Sequence, residues 1–342
     1  MKPFHLLLYI AASLPIGCNS HFEIEGLQAE EKLVVYCMPT AGNDTTVIQL
    51  SKTVPLNSAG MPPKGIPDAD IEFAVNGESQ KVCWLESGTG SMVPDKSYYV
   101  VKKLSTGDRI DIAASSGRLP TVRSSSVVPD GSRLHKVVLA ESSTDTGYDR
   151  QIRITFSDDP QTEDYYGVRV MKKAHHTYTY FDWAEDRWIE NTRTGVYLPL
   201  VDVSGEPLLN NKIGLDATLD FDYNYYQDLY IWNDDMISGK EYTLKINVEL
   251  EYNDEKDNFS STYNYKVCLY RLSPELYKFL KSLNDISNNE LGQNGLAPIR
   301  SHYSNITDGF GFLGAASLYE TPWLDNPDSG ETEVWTPVSY TH

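Results

Sequence analysis

Positive charge is scarce in this chain. Of its 342 residues, 29 are Lys or Arg against 48 Asp or Glu, a net charge of −19, whereas affinity for nucleic acid rests mainly on cations that displace counterions from phosphate. No nucleic-acid partner is expected. Cysteine is equally sparse. The four residues Cys18, Cys37, Cys83 and Cys268 form no C-x-x-C pair and no Cys/His cluster at zinc spacing, so a structural zinc site is excluded and no metal or cofactor is expected. Beyond the N-terminus no segment approaches the roughly 18 uninterrupted apolar residues of a membrane-spanning helix. The nucleophile elbow G-x-S-x-G is missing too, because GTGSMV places Ser91 wrongly for it. No carboxylate pair stands in an apolar setting that would split two pKa values, as acid/base hydrolysis requires. The chain is read as non-enzymatic.

The first eighteen residues, MKPFHLLLYIAASLPIGC, carry Lys2 and then an apolar run. That run is too short for a permanent membrane span and suited to a signal peptide. Gly17-Cys18 resembles the cleavage site of a bacterial lipoprotein, so residues 1–18 are read as the signal and Cys18 as the lipid attachment, with 19–28 a tether. Pro15 stands where such sites normally carry Leu, and ordinary cleavage to a soluble periplasmic product is the alternative. In an oxidising envelope Cys37 and Cys83 could form a disulfide worth about 4 kcal/mol in the chain-entropy model. Two buried free thiols fit the sequence equally well.

What is abundant is tyrosine, 23 residues beside 10 Phe and 6 Trp, a composition that suits sheets with half-buried faces. KLVVYCM, TTVIQL, IEFAV, KVCWL, SYYVV and DRIDIAA follow one another between turn-rich pieces. In EYTLKINVELEY (241–252) apolar and polar residues alternate with period two throughout. The Ser- and Pro-rich stretch 115–132 reads as a link. The fold class is therefore all-β: two antiparallel β-sandwich-like domains, 29–128 and 129–342, with one short helix near the C-terminal end. That helix is SPELYKFLKSL, where Ser273 caps, Pro274 opens and Leu276, Phe279, Leu280 and Leu283 form the apolar stripe.

GFGFLG (309–314) has the G-x-G-x-x-G spacing of dinucleotide-binding turns. That spacing works only where a strand of a parallel sheet turns into a helix, and here only 28 residues follow it. The run is read as structural, a place of close backbone approach. His175 and His176, neighbours on a strand, point to opposite faces and cannot easily share one ion. DFDYN (220–224) begins like a calcium loop, but Tyr225 and Ile231 stand where the loop needs Gly and Glu. The better candidates are aromatic. YTYFDWAEDRW (178–188) and DYNYYQDLYIW (222–232) set flat rings beside acids and amides, an arrangement that suits sugar or peptide contacts. Trp183, Trp188, Tyr225 and Tyr226 are the candidate ligand-contacting residues.

YRLSPELYKFLKSLND followed by IRSHYSNITDGFGFLGAAS resembles the end signature of the domain-of-unknown-function 4249 lipoproteins. FSDDPQTEDYYGVRV, YIWNDDMISGKEYTL and GDRIDIAASSGRLPTVRSSSVVP are similar to further elements of that family. The resemblance implies an outer-membrane lipoprotein of Bacteroides-type bacteria, often found alongside TonB-dependent transporters. It supplies no catalytic residues. The expectation is a lipid-anchored outer-membrane protein at the cell surface, an accessory or ligand-binding component of a TonB-dependent nutrient uptake system. A structural or adhesive envelope protein is the alternative.

Overall fold

The computed structural model describes residues 31–53, 65–88, 93–142, 150–209, 229–249, 254–256, 258–287, 302–326 and 331–335. Cys18 and the tether lie outside them. The all-β reading holds: among the described residues strands form four sheets and there is one helix, Pro274–Ser287, near the C-terminal end.

In the first half, one sheet runs in the order Phe310–Leu313, Leu33–Cys37, Thr45–Lys52, Ser97–Val101, Val82–Leu85. A second runs Glu78–Gln80, Asp70–Val75, Arg109–Ser115, Val122–Val127. Period-two alternation turns Leu33, Val35 and Cys37 of one strand inward. There they join Ile48, Leu50, Phe73, Val75, Ile110 and Ile112 in one core between the sheets.

Cys37 and Cys83 are both free, a correction to the disulfide that the sequence allowed. They sit on the first and last of four consecutive strands of one sheet, with Thr45–Lys52 and Ser97–Val101 between them. Three strand spacings place them roughly 14 Å apart, beyond the roughly 7 Å between Cα atoms that a disulfide can bridge.

The second half repeats the layered plan. Arg150–Ser157 pairs residue for residue with Glu241–Val248, from Arg150 opposite Val248 to Ser157 opposite Glu241. Arg133–Glu141 continues the same sheet. Its inner residues, among them Leu139, Ile152, Ile154, Phe156, Leu244 and Ile246, pack against Tyr166, Val168, Tyr265, Val267 and Leu269 of the facing sheet. That facing sheet is built on two long strands, Tyr165–Asp182 and Phe259–Leu272.

The helix covers the outer face of the same sheet. Leu276, Phe279, Leu280 and Leu283, the expected stripe, are all buried against Tyr165, Cys268, Tyr270, Leu272 and Phe312. Ser273 caps it: Oγ accepts hydrogen bonds from the backbone N–H of Leu276 (3.3 Å) and of Ala315 (3.1 Å). The helix runs on to Ser287, past the Leu283 at which the stripe ends. Neither Gly nor Pro interrupts the chain between Pro274 and Gly292, so nothing covalent stops it earlier.

GFGFLG explains how the two halves are joined. Phe310–Leu313 crosses the boundary expected near Pro129 and pairs parallel with Leu33–Cys37, Gly311 opposite Val35. Ala316–Glu320 pairs parallel with Thr40–Ala41 in the same way. These parallel pairs depart from the antiparallel expectation: the chain returns to its first strands after most of the second sandwich, so no tight hairpin links the paired strands. Gly311 has φ +98°, and a Cβ there would sit 1.9 Å from the Val35 carbonyl oxygen. At Gly314 it would sit 2.6 Å from Leu276 Cβ on the helix. The glycines permit this close approach. Asn305, from the Ser-Asn-Ile element, braces the strand: Nδ2 donates to the Leu313 carbonyl (2.8 Å) and Oδ1 accepts from the Leu313 N–H (3.0 Å).

Candidate functional site

Tyr165–Asp182 is 18 residues long, roughly 60 Å at about 3.3 Å per residue, and its two ends live in different surroundings. Residues 165–170 are buried in the sandwich, whereas Tyr178 and Tyr180 are exposed. Arg187–Tyr197 folds back along it, from Asp182 opposite Arg187 to Lys172 opposite Tyr197. The other neighbour, Phe259–Leu272, stops at Phe259 opposite Tyr178. One further bond, from the Thr179 N–H to the Asn258 carbonyl (3.0 Å), ends that support. Beyond it, among the described residues, the hairpin continues as a two-stranded ribbon. Its turn is set by Asp182, whose Oδ1 accepts from the Ala184 N–H at 2.8 Å, and by Asp186 at φ +50°.

At the tip the structure brings two of the candidate aromatics together. Trp183 is 85% exposed and Trp188 61%. Both stand edge-on to Phe181, with ring centroids at 4.8 Å and 5.5 Å and interplanar angles of 73°. Phe181 and Trp188 are directly opposite in the register, so they share a face of the ribbon. The other face carries a second aromatic series: Tyr178 against Phe259 (5.0 Å) and His176 between Phe259 (6.0 Å) and Tyr263 (6.1 Å). Acids and a base surround the tip, with Arg187 Nε bonded to Glu185 at 2.6 Å.

The two histidines do face apart. His175 Nδ1 bonds the Thr194 hydroxyl (2.9 Å) and His176 Nδ1 the Ser261 hydroxyl (2.8 Å). Tyr225, Tyr226 and the DFDYN segment lie outside the described residues.

Two features went unnoticed in the sequence. A cleft of about 510 Å³ is lined by residues that include Arg109, Asp111, Arg123, Glu275 and Tyr303, and by no residue of the hairpin. Arg109 is held there by Asp111 at 2.9 Å, which blunts its use for a ligand anion. The second is a buried group of three acids, Asp158, Asp164 and Asp234, with Arg271 ion-paired to Asp164. Burial raises the pKa of Asp164, opposed chiefly by the Arg271 charge, and burial likewise raises that of Asp234. These acids stand in FSDDPQTEDYY and YIWNDD, beside the apolar strand residues Phe156, Tyr165 and Trp232. An acid abutting a fully buried run is the signal that could have singled them out.

A two-sandwich β protein with a projecting aromatic hairpin is thus the class that fold and site define. The model of the family described as "Domain of unknown function (DUF4249)" matches residues 19–321, and the chain belongs to that family. No curated protein matches it. Among solved structures, the collagen adhesin (CNA) from S. aureus is similar over 89% of this chain and 95% of its own, at 8% identity and a TM-score of 0.18. A superposition that loose supports no argument about fold or function.

Proposed function

We propose that the protein is a non-enzymatic binding component of the bacterial cell envelope, anchored to the outer membrane through lipid on Cys18 and displayed at the cell surface. There it serves a TonB-dependent transporter in nutrient uptake, and the hairpin is its contact element. The observation that carries this reading is the pair of exposed indoles, Trp183 and Trp188, set against Phe181 at the hairpin tip. Burying one large aromatic side chain is worth about 1.5–3 kcal/mol, yet the fold leaves Trp183 and Trp188 in water. Rings held in place against a neighbouring ring, as both are against Phe181, lose little entropy when a partner covers them, and Trp and Tyr are the usual anchors of such contacts. Flat faces beside Asp182, Glu185 and Arg187 suit a sugar, a peptide or the extracellular loop of a transporter. The family resemblance supports the envelope setting and the transporter as partner.

The test is affinity purification of the tagged full-length protein from detergent-solubilised outer membranes, run beside Cys18→Ala. The expected result is that wild type fractionates with the outer membrane and co-purifies a TonB-dependent transporter, while the variant does neither. Equal fractionation of the two, or no transporter with wild type, would contradict the proposal and favour an adhesive role.

A further inference from the structure

Three chain segments converge inside the second sandwich and each contributes one acid. Asp158 follows the strand Arg150–Ser157, Asp164 precedes Tyr165–Asp182, and Asp234 follows Tyr230–Asn233. Each is only 4% exposed. Each offers a carboxylate oxygen, and the three oxygens lie within 4.8 Å of one another.

Hydrogen bonds hold the group in place. Asp234 Oδ2 accepts from the Asp164 N–H (3.0 Å), and the Asp234 N–H returns to the Asp164 carbonyl (3.1 Å). Asp158 accepts from the Tyr166 hydroxyl (2.6 Å) and from the Gly239 N–H (2.9 Å). Arg271 is the one basic side chain ion-paired with these acids among the described residues, through Asp164 Oδ1. One guanidinium against three carboxylates leaves two negative charges without a counterion in a buried place, where unpaired charge is most costly.

A separate observation points the same way. Asp164 Oδ2, on a side chain already aligned by Arg271, is fully buried and has no donor at ordinary hydrogen-bond geometry, Thr162 interacting with this carboxylate only more loosely. A buried carboxylate oxygen without a donor bears its full desolvation penalty, and a cation is what would relieve it.

We infer that Asp158, Asp164 and Asp234 form a Ca²⁺ site, with Arg271 balancing the third carboxylate. The donors are all hard oxygens, which excludes a preference for soft metals. Ca²⁺ bonds of about 2.3–2.6 Å place its ligand oxygens up to roughly 5 Å apart, a span that the cluster meets, whereas Mg²⁺ is seldom held by an all-protein cage. The ion would tie the ends of three strands of the second sandwich together. This site is distinct from the hairpin and does not rest on its function.

The test uses the full mature chain stripped with EDTA, with Tb³⁺ and Ca²⁺ as probes. Trp232 stacks on Tyr166 at 5.4 Å, and Tyr166 bonds Asp158, so indole excitation should sensitise Tb³⁺ emission from a bound ion. The expected result is one saturable site per chain, reversed by Ca²⁺ and seen as one Ca²⁺ per chain by calorimetry. Asp234→Asn keeps an acceptor for the Asp164 N–H and should weaken Ca²⁺ at least about tenfold, with the circular dichroism of wild type. If that variant does not fold, Asp158→Asn makes the same comparison. Absence of saturable binding to wild type at millimolar Ca²⁺ would overturn the inference. So would equal binding by wild type and variant, which would place the ions on the acidic surface.

Discussion

Replacing Gly311 with Ala tests how the two sandwiches are tied together. Two separate effects meet at this position. The first is conformational: at φ +98° an L residue costs about 1–2 kcal/mol relative to glycine. The second is steric, because the new Cβ would lie 1.9 Å from the Val35 carbonyl oxygen. That oxygen belongs to Val35, which is fully buried and lies on a strand paired on both sides. It cannot give way without disturbing the first core, so the total should reach about 3–5 kcal/mol. Gly107 is the control. Its φ is +82°, yet a Cβ added there would meet no atom within 4 Å, so Gly107→Ala should show the conformational cost alone. In urea unfolding followed by tryptophan fluorescence, at a slope of about 3 kcal/mol per molar, Gly311→Ala should lower the midpoint by about 1 M or more and Gly107→Ala by about 0.5 M. Equal shifts would refute the close approach, and with it the structural reading of GFGFLG.

Three further outcomes follow from the same structure. Ser273→Ala removes the helix cap and leaves the buried Ala315 N–H without its acceptor; a loss of about 2 kcal/mol is expected in the same urea assay. Alkylation of the native protein should label half-buried Cys83 first. Cys37 is buried and its thiol pKa raised by that burial, and burial pushes Cys268 up to about 12, so both should react only on unfolding; a Cys37–Cys83 disulfide in the mass spectrum of the oxidised protein would contradict this. Asp164 and Asp234 have folded pKa values raised above 3.8, so the stability they contribute is complete below that value and is lost as pH rises through the folded values. In EDTA, wild type should therefore lose stability relative to Asp234→Asn as pH rises across this window, and Ca²⁺ should reverse the trend.

Much of the fold was legible because period-two alternation and a capped 3.6-residue stripe are local signals. Glu241–Val248 and the helix from Pro274 to Leu283 could be read from their own residues, though not the helix's last turn to Ser287. The parallel pairing of Phe310–Leu313 with Leu33–Cys37 could not, since no local pattern links segments 276 residues apart. The glycines marked a close approach, but their partner, the Val35 carbonyl, is visible only in the folded chain. The site divides similarly. Trp183 and Trp188 were singled out by composition, but period two does not say which strand end outruns its neighbour, and that alone leaves them exposed. The acids at 158, 164 and 234 were lost among 48 Asp and Glu residues, because their meeting depends on three strand ends converging.

The most direct measurement of the proposed role of the hairpin is quantitative co-purification of the proposed transporter partner with full-length wild type and with full-length Trp183→Ala/Trp188→Ala, both shown to fold. Each ring is expected to contribute about 2 kcal/mol to the contact, roughly 30-fold in affinity. Since neither ring is buried in the fold, stability should change by less than about 0.5 kcal/mol. Loss of the transporter at unchanged stability is the expected result. Full retention of the transporter by the double variant would show that the hairpin tip is not the contact element.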